Sequence, residues 1–492
     1  MAGTSTKVMF FIVAASVIAA SGVTPLIHAT TTPPTEPPPV HYDIGLDIKQ
    51  DEVEAITVRA TVTVGGDGIV DFEPPAQQPT EVHAESGSLD TSIGKRWRVS
   101  GAPGARIALT WRSPRPQRLL TVDQPAWQRV IGQPGRVFAF NGVLLAIPKV
   151  PSTRLVTTTL SLPAGWHGAT GATDGSTTVE TLPSTSFIAS RDLQTVTRPI
   201  GTTHTLRVAA SGLQAPDVES IATRLAAAMS TDRKDVTLNL LVFHAGDGGT
   251  GYSVAGPAAT LLLSRYDPSN PWLFGLVGDL SSSDDAAGQA AHAWFTRGVT
   301  GYRVAMAFRA EGLFDNVSLA RHIDQTLDAY GGSPLRRASN ARIAVDYDRI
   351  REMHDLPAAR GELFAWLVDS QIRKATQGRK RLLDALRRMD GSSPDPGPAL
   401  IAAVAAEGGG DIAPLYQRYI VDGQLLQLPP DTLGPCFAVG TVAYDYGWQV
   451  QHVFAKPPTL CVGADSSATG NVGADSSAKS QQGGDEATPN RR

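Results

Sequence analysis

The chain contains only two cysteines among its 492 residues. That number excludes a disulfide-rich scaffold and any zinc site built on cysteine clusters. Charge of one sign is not in large excess either, because 43 Lys and Arg residues stand against 47 Asp and Glu residues. A strongly basic nucleic-acid-binding protein is therefore excluded, and we expect no nucleic-acid partner. A disordered chain is excluded too, because 42% of the residues are hydrophobic and only 18% are charged.

Long hydrophobic runs are also missing, except near the N-terminus. There Lys7 precedes an apolar run at 8–20 that is followed by small residues. The run is shorter than the roughly 20 apolar residues of a membrane span, and it indicates a signal peptide at 1–29. An uncleaved anchor is the alternative. We expect an exported protein, periplasmic or secreted, with a Pro/Thr-rich linker at 30–39 and no further transmembrane span. Outside the cytoplasm Cys436 and Cys461 could form a disulfide, although the sequence alone does not show that they meet.

Residues 40–213 have the pattern of a β domain. Segments with alternating or continuous apolar residues, such as 42–48, 56–64, 106–112, 136–147 and 204–210, are separated by Gly, Pro, Asp and Ser clusters. This pattern predicts strands in a β-sandwich-like domain.

Residues 214–430 have a mainly helical pattern. Apolar residues at helical spacing predict helices at 217–230, 319–332 and 362–378, and 235–245 is typical of a strand. Residues 431–461 form a short C-terminal extension with two predicted strands. The tail at 462–492 repeats the heptamer VGADSSA and is expected to be disordered. The chain is therefore predicted to be an α+β multidomain protein.

Several segments in the second region occur in the order seen in a known family. WFTRGVTGY at 294–302 and FRAEGL at 308–313 resemble the W-F-S-E-G-F-T-S-Y and R-A-G-L stretch of the glycyl aminopeptidases, number sixty-one among metallopeptidase families. Residues 161–166, 362–389 and 415–423 resemble other segments of that family. The resemblance implies a thermolysin-like (gluzincin) zinc aminopeptidase fold behind an N-terminal β domain. The PDZ domain usual in the family is not expected, because only about 40 residues lie between Gly423 and the tail.

The zinc-binding residues of such a family are missing from this sequence. The ten histidines contain no H-E-x-x-H or H-x-x-x-H motif, and the closest two are His28 and His41. In the alignment that the resemblance implies, Asp279 replaces the first histidine ligand, Leu280 the general base and Ser283 the second histidine. The register is uncertain by a residue or two. The third ligand, a glutamate in the family, corresponds to Arg297, which cannot lose its proton and repels a divalent cation.

Two further parts of the family's mechanism are absent as well. Gly251 stands where the family has an acidic residue for the substrate's amine, and Ala358 lies in the segment that supplies the oxyanion tyrosine. We therefore assign no catalytic residue, metal ligand or cofactor, although the family implies zinc. The resulting interpretation is an exported pseudo-peptidase with a peptide or protein segment as partner. Tyr252, His292 and Arg297 are expected to line its cleft, and Arg297 to meet a carboxylate.

Two alternatives remain open at this point. The first is an active metal-dependent aminopeptidase or hydrolase with a non-standard site built from Asp279, His292 and Asp284. The second is a structural envelope protein whose cleft is filled. Carboxylates and His292 within metal-bonding distance favour an enzyme. A buried Arg297 favours the structural protein, and an open cleft with Arg297 and aromatic residues favours binding.

Overall fold

The computed structural model describes residues 38–461, except for 93–94, 117–129, 173–174, 202–203, 230–236, 246–250, 264–270, 282–289, 348, 351, 390–394 and 444–448. The predicted signal peptide, most of the linker and the repeat-containing tail lie outside the described residues. Ser283 and Asp284 do so as well. No helix in the described part of the chain is both long and apolar enough to cross a membrane.

The first region, 40–211, is made mostly of strands. In the described residues these are β1 (Val40–Lys49), β2 (Glu52–Thr63), β3 (Ile69–Glu73), β4 (Glu81–Ala84), β5 (Ser88–Asp90), β6 (Trp97–Ser100), β7 (Arg106–Ser113), β8 (Val130–Gln133), β9 (Arg136–Phe140), β10 (Ile147–Pro148), β11 (Leu155–Ser161), β12 (His167–Thr170), β13 (Ser176–Thr178), β14 (Ser186–Ser190), β15 (Gln194–Ile200) and β16 (His204–Ser211).

These strands form three sheets of their own. A six-stranded sheet has the order β13-β11-β1-β2-β7-β4, and two four-stranded sheets have the orders β10-β3-β6-β5 and β12-β14-β9-β8. In the six-stranded sheet β1 and β11 are parallel and the other pairs are antiparallel. The alternating burial along β1 follows the period of two in the sequence and sends every second side chain into the β core.

Aromatic residues with polar atoms lie at the centre of this β core. Tyr42 is fully buried, and its hydroxyl donates to the carbonyl oxygen of Ala146 at 2.6 Å. The indole N–H of the buried Trp111 donates to the carbonyl oxygen of Leu144 at 3.0 Å. Burial of a large ring is favourable when its polar atom has a partner, and both rings meet this condition.

The apolar run at 136–147, expected to be a strand, is one only in part. Strand β9 ends at Phe140, and the short helix α1 (Asn141–Leu144) follows. The backbone N–H of Asn141 donates to the carbonyl oxygen of Thr185 at 2.8 Å, and its side-chain amide donates to the Thr185 hydroxyl at 2.8 Å. The turn is therefore fixed by contacts with a segment more than 40 residues away, which local periodicity does not reveal.

A fourth sheet includes strands from both sides of position 213. Its order is β15-β16-β17-β19-β18, where β17 is Thr237–His244, β18 is Gly251–Ala255 and β19 is Ala258–Leu263. The three central strands are parallel. Along β17 the side chains alternate: Leu240 and Val242 lie in the helical core, whereas Leu241 and Phe243 lie in the β core.

The second region is mainly helical, as predicted. Its helices are α2 (Ala215–Ala228), α3 (Pro271–Ser281), α4 (Thr300–Ala310), α5 (Asn316–Gly332), α6 (Asn340–Asp346), α7 (Glu352–Ala375), α8 (Leu382–Arg388), α9 (Pro396–Ala406) and α10 (Ala413–Tyr416). Two π-helical segments, Trp294–Val299 and Gln417–Val421, continue into or out of α-helices. Short 3₁₀ segments lie at Leu182–Ser184, Ala290–His292 and Pro458–Leu460.

Helix α7 is the central element of the helical region. The predicted glycine stop is present, because Gly378 has a positive φ and its N–H donates to the carbonyl oxygen of Arg373 at 2.7 Å. Asp369 on α7 is buried and accepts hydrogen bonds from the Tyr302 hydroxyl at 2.8 Å, the Leu382 N–H at 3.0 Å and the Arg373 guanidinium at 2.9 Å. This carboxylate therefore joins α4, α7 and the start of α8.

The C-terminal extension forms the predicted pair of strands, β20 (Phe437–Ala443) and β21 (Gln449–Ala455). Strand β21 packs along α5. At this contact Asp324 accepts hydrogen bonds from the Val453 N–H at 3.0 Å and from the His452 ring at 2.9 Å. The hairpin is thereby attached to the helical core by both backbone and side-chain contacts.

Candidate functional site

Three elements of the second region bring a polar cluster together. Strand β18 carries Tyr252, helix α3 carries Asp279, and the π-helix Trp294–Val299 carries Arg297. The Tyr252 hydroxyl donates to Asp279 Oδ2 at 2.9 Å. The positive charge of Arg297 is close enough to lower the pKa of Tyr252 and that of Asp279, although other effects raise both pKa values by more. Tyr252, Asp279 and Arg297 therefore meet in space, although they span 46 positions of the sequence. We call this group the Arg297 cluster.

The position of Arg297 is set by a close crossing of two helical segments. Its neighbour Gly298 faces helix α7, where a Cβ atom on Gly298 would lie 2.6 Å from the carbonyl oxygen of Ala358 and 2.6 Å from the Cα atom of Gly361. Only glycine permits this approach. Short π-helical segments are often found at functional sites, and Arg297 lies in one.

Two residues without any sequence signal complete the cluster. The Nη1 atom of Arg297 donates to the Tyr347 hydroxyl at 3.1 Å. Its Nη2 atom lies 4.0 Å from Oδ1 of Asp355, a strongly exposed carboxylate. Tyr347 follows α6 and Asp355 lies in the first turn of α7. Neither position carries a motif, so only the packing of α6 and α7 reveals them.

The cluster is open to solvent and yet surrounded by protein. The Arg297 side chain is 37% exposed, and Asp279 is also accessible. Nevertheless desolvation raises the pKa of Asp279, and the hydrogen bond from Tyr252 and the charge of Arg297 offset only part of that effect. Desolvation and the adjacent Asp279 carboxylate likewise raise the pKa of Tyr252. Asp279 therefore reaches solvent although protein atoms around it disfavour its charged form.

The described residues in and next to the Arg297 cluster do not fit a zinc ion. Leu280, at the position of the general base, is buried in the core. Gly251 and Ala358 offer no side-chain donor, and Ser283 lies outside the described residues. Arg297 carries a permanent positive charge, which repels a divalent cation. The described side chains in and next to the Arg297 cluster therefore support no zinc-dependent step.

His292 does not join the cluster. It lies in the 3₁₀ segment before the π-helix, and its carbonyl oxygen accepts a hydrogen bond from Thr296. Within the described part of the chain, its ring makes no hydrogen bond or ion pair with Tyr252, Asp279 or Arg297. Tyr252 and Arg297 lie in one cluster and His292 does not belong to it; the expectation that these three residues line a cleft stays a prediction.

A group of possible metal ligands exists elsewhere, at the contact between α5 and β21. Ligand atoms of Asp324, Asp328 and His452 all lie within 4.8 Å of one another. The His452 ring uses Nδ1 toward Asp324 at 2.9 Å and Nε2 toward Asp328 at 3.9 Å. The two nitrogens thus face different carboxylates, which is the geometry of a histidine that joins two acids across an interface. The expectation that the chain holds no metal stays a prediction.

The two cysteines also lie in this part of the molecule, and both are free thiols in this structure. Cys436 is buried, and Cys461 is partly exposed.

Comparison with known proteins finds similarity in structure but not in sequence. No family model matches the chain, and neither does any curated protein. The chain is similar to the crystal structure of an aminopeptidase N family protein from Idiomarina loihiensis, with a TM-score of 0.52 and 16% identity over 82% of this chain and 79% of that one. An M1 zinc metallopeptidase from Deinococcus radiodurans gives a TM-score of 0.42 and 15% identity over 80% of this chain and 95% of that one.

The first likeness shows the fold alone. This chain has the two-part architecture of aminopeptidase-type proteins, with an N-terminal β domain and a mainly helical second region. The predicted fold class is therefore confirmed. The expected domain boundaries at 213/214 and 430/431 stay predictions.

Proposed function

We propose that this chain is an exported pseudo-peptidase of the glycyl aminopeptidase type, whose cleft binds a peptide or protein segment and does not cleave it. The observation that supports the proposal most directly is the accessible Arg297 within the former zinc site. It stands between two tyrosines and opposite Asp279, and the described residues around it offer neither a zinc ligand set nor a general base.

The chemistry of the cluster suits a ligand that carries a carboxylate. A guanidinium presents several N–H donors in one plane and prefers carboxylate partners. One donor of Arg297 is directed to Tyr347, and the carboxylate of Asp355 is strongly exposed and 4.0 Å away. An ion pair of that kind contributes little, so a ligand carboxylate can replace it.

The remaining groups suit the rest of a peptide. The Asp279 carboxyl accepts from Tyr252, and a carboxylate oxygen is also a suitable acceptor for an amide N–H. Tyr252 and Tyr347 are partly buried, so each ring keeps some apolar surface in contact with solvent. At the end of a peptide, Arg297 can thus donate to the C-terminal carboxylate, and Asp279 can accept from an amide N–H.

The proposal is tested by binding a pool of short peptides with free or amidated C-termini to the purified chain, followed by titration calorimetry of the ligands found. We expect R297Q to weaken binding of a free-carboxylate peptide at least tenfold, because a charge-assisted hydrogen bond contributes about 1.5–3 kcal/mol. R297K should retain part of the affinity. The matched control is R387Q, which removes an exposed arginine far along the sequence on α8 and should change nothing.

Activity and export are measured on the same preparation. Elemental analysis and a panel of Gly- and Ala-terminated substrates should show no stoichiometric zinc and no cleavage. About one zinc per chain together with cleavage would contradict the proposal and support a non-standard metal site. N-terminal sequencing of the protein recovered from the cell envelope or medium should begin after residue 22 or 29. A chain that keeps Met1 in the cytoplasm would contradict export.

A further inference from the structure

The two cysteines of the chain lie at the two ends of the C-terminal hairpin. Cys436 immediately precedes β20, and Cys461 follows β21 after the 3₁₀ turn Pro458–Leu460. They are the only cysteines among 492 residues. Because the chain has only two cysteines, the distance between them in the fold bears directly on whether they act as a pair.

The backbone of the hairpin brings the two sulfur atoms to one place. Pairing of Phe437 with Ala455 is continued by a hydrogen bond from the Lys456 N–H to the carbonyl oxygen of Cys436 at 2.8 Å. The 3₁₀ turn then reverses the chain, so that Cys461 Sγ lies 3.9 Å from the carbonyl oxygen of Lys456 and 3.7 Å from that of Pro457. The Cys436 and Cys461 thiols are in hydrogen-bonding contact, which together with burial raises the pKa of Cys436.

A cationic and a polar side chain lie beside the sulfur atoms. The Arg309 guanidinium lies near both thiols and over the Phe437 ring at 5.7 Å. A neighbouring cation stabilises a thiolate, which is the reactive form in thiol–disulfide exchange. The Asn316 side chain also contacts Cys436. Of the two sulfur atoms, only that of Cys461 belongs to a residue with substantial solvent contact, so it is the one that a small oxidant reaches first.

We propose that Cys436 and Cys461 form an intramolecular disulfide that closes the C-terminal hairpin. The Cys461 thiolate attacks a small disulfide such as oxidised glutathione and releases one glutathione thiolate. The Cys436 thiol then gives its proton to solvent, and its sulfur displaces the second glutathione. One S–S bond forms and one S–S bond breaks, so the two electrons pass from the protein to glutathione.

The cross-link has a defined structural effect. It joins the segment before β20 to the segment after β21 and closes a loop around the whole hairpin, which reduces the freedom of the unfolded hairpin. The hairpin contacts α5 through Asp324, His452 and Val453. The oxidised protein should therefore keep β21 on α5 under conditions in which the reduced protein releases it.

The test uses the full chain and does not depend on peptide binding. Protein is incubated with oxidised and reduced glutathione, denatured, and titrated for free thiols, and its intact mass and linked peptides are measured. We expect no free thiol, a monomer about 2 Da lighter than the reduced chain, and one linked peptide that contains both cysteines. Two reactive thiols after this treatment, or disulfides only between chains, would overturn the proposal.

Variants separate the cross-link from packing around the cysteines. C461S keeps the buried Cys436 and should fold, but it should lack the roughly 5 °C rise in melting temperature that oxidation gives the wild type. R309Q should slow disulfide formation severalfold, and R309K should restore it, because both thiols remain while only the adjacent charge changes. An equal melting temperature for oxidised and reduced wild type, with a protease cutting both hairpins at the same rate, would contradict the structural role.

Discussion

The replacement of Gly298 by alanine tests how the Arg297 cluster is positioned. A Cβ atom there would lie 2.6 Å from the carbonyl oxygen of Ala358, 2.6 Å from Gly361 Cα and 2.8 Å from the Glu362 N atom, whereas ordinary contacts begin near 3.4 Å. All three atoms belong to the backbone of α7, so no side chain can rotate to make room. The π-helix and α7 must therefore separate by roughly 0.8 Å.

The cost of this separation follows from what is packed at the crossing. Trp294 and Phe364 are buried there with their ring centroids 6.0 Å apart. A gap of about 0.5–1 Å forfeits about a quarter to a half of each dispersion contact. Together with the strain of overpacking, we expect Gly298→Ala to lower the free energy of unfolding by about 3 kcal/mol. It should also weaken peptide binding, since Arg297 is the adjacent residue.

Urea denaturation followed by tryptophan fluorescence measures this effect. Gly332→Ala is the matched control, because it is a helical glycine whose added Cβ would meet no atom within 4 Å. It should leave stability unchanged or raise it by up to about 1 kcal/mol. A Gly298→Ala protein that unfolds within about 0.5 kcal/mol of the wild type would refute the claim that this close crossing holds Arg297 in place.

Three further changes test other parts of the molecule. Asp369→Ala leaves two buried donors and the partly buried Arg373 without their carboxylate and should cost about 3–5 kcal/mol in urea denaturation; a loss below about 1 kcal/mol would contradict its linking role. Tyr42→Phe leaves the Ala146 carbonyl without its donor and should cost about 1–2 kcal/mol by the same assay, and an unchanged midpoint would contradict it. Because the pKa of Asp279 is raised in the folded chain, ionisation of this group opposes folding as the pH rises above its unfolded value. Asp279→Asn should therefore raise the melting temperature at pH 7 but not at pH 3, and equal shifts at both would contradict this assignment.

The sequence predicts most of the secondary structure and the general location of the site. Strands such as β1 follow a period of two, and helices such as α5 follow a helical period with clear stop signals, so local patterns suffice. The order of family-like segments points to Asp279, Arg297 and Tyr252, and the structure places them together. Strand β19 is not predicted, because its continuous apolar residues are also typical of a buried helix.

Long-range packing accounts for what the sequence does not reveal. Tyr347 and Asp355 reach Arg297 only because α6 and α7 converge there, and neither stands in a recognisable motif. The joining of Asp324 to His452 depends on how the hairpin folds back over α5, across more than 100 residues. The turn at Asn141 depends in the same way on Thr185. Contacts between residues so far apart in the sequence produce no periodic pattern that a single sequence would show.

The sheet that spans position 213 has a consequence for motion. Strand β17 directs alternate side chains into the β core and the helical core. Unfolding of either core therefore exposes side chains that the other core buries. The two halves should therefore unfold as one cooperative unit and lack the hinge by which many two-domain proteins close on a ligand. A ligand would then reach the solvent-accessible Arg297 cluster without a domain closure, and the amides of β17 should be among the slowest in the chain to exchange with deuterium.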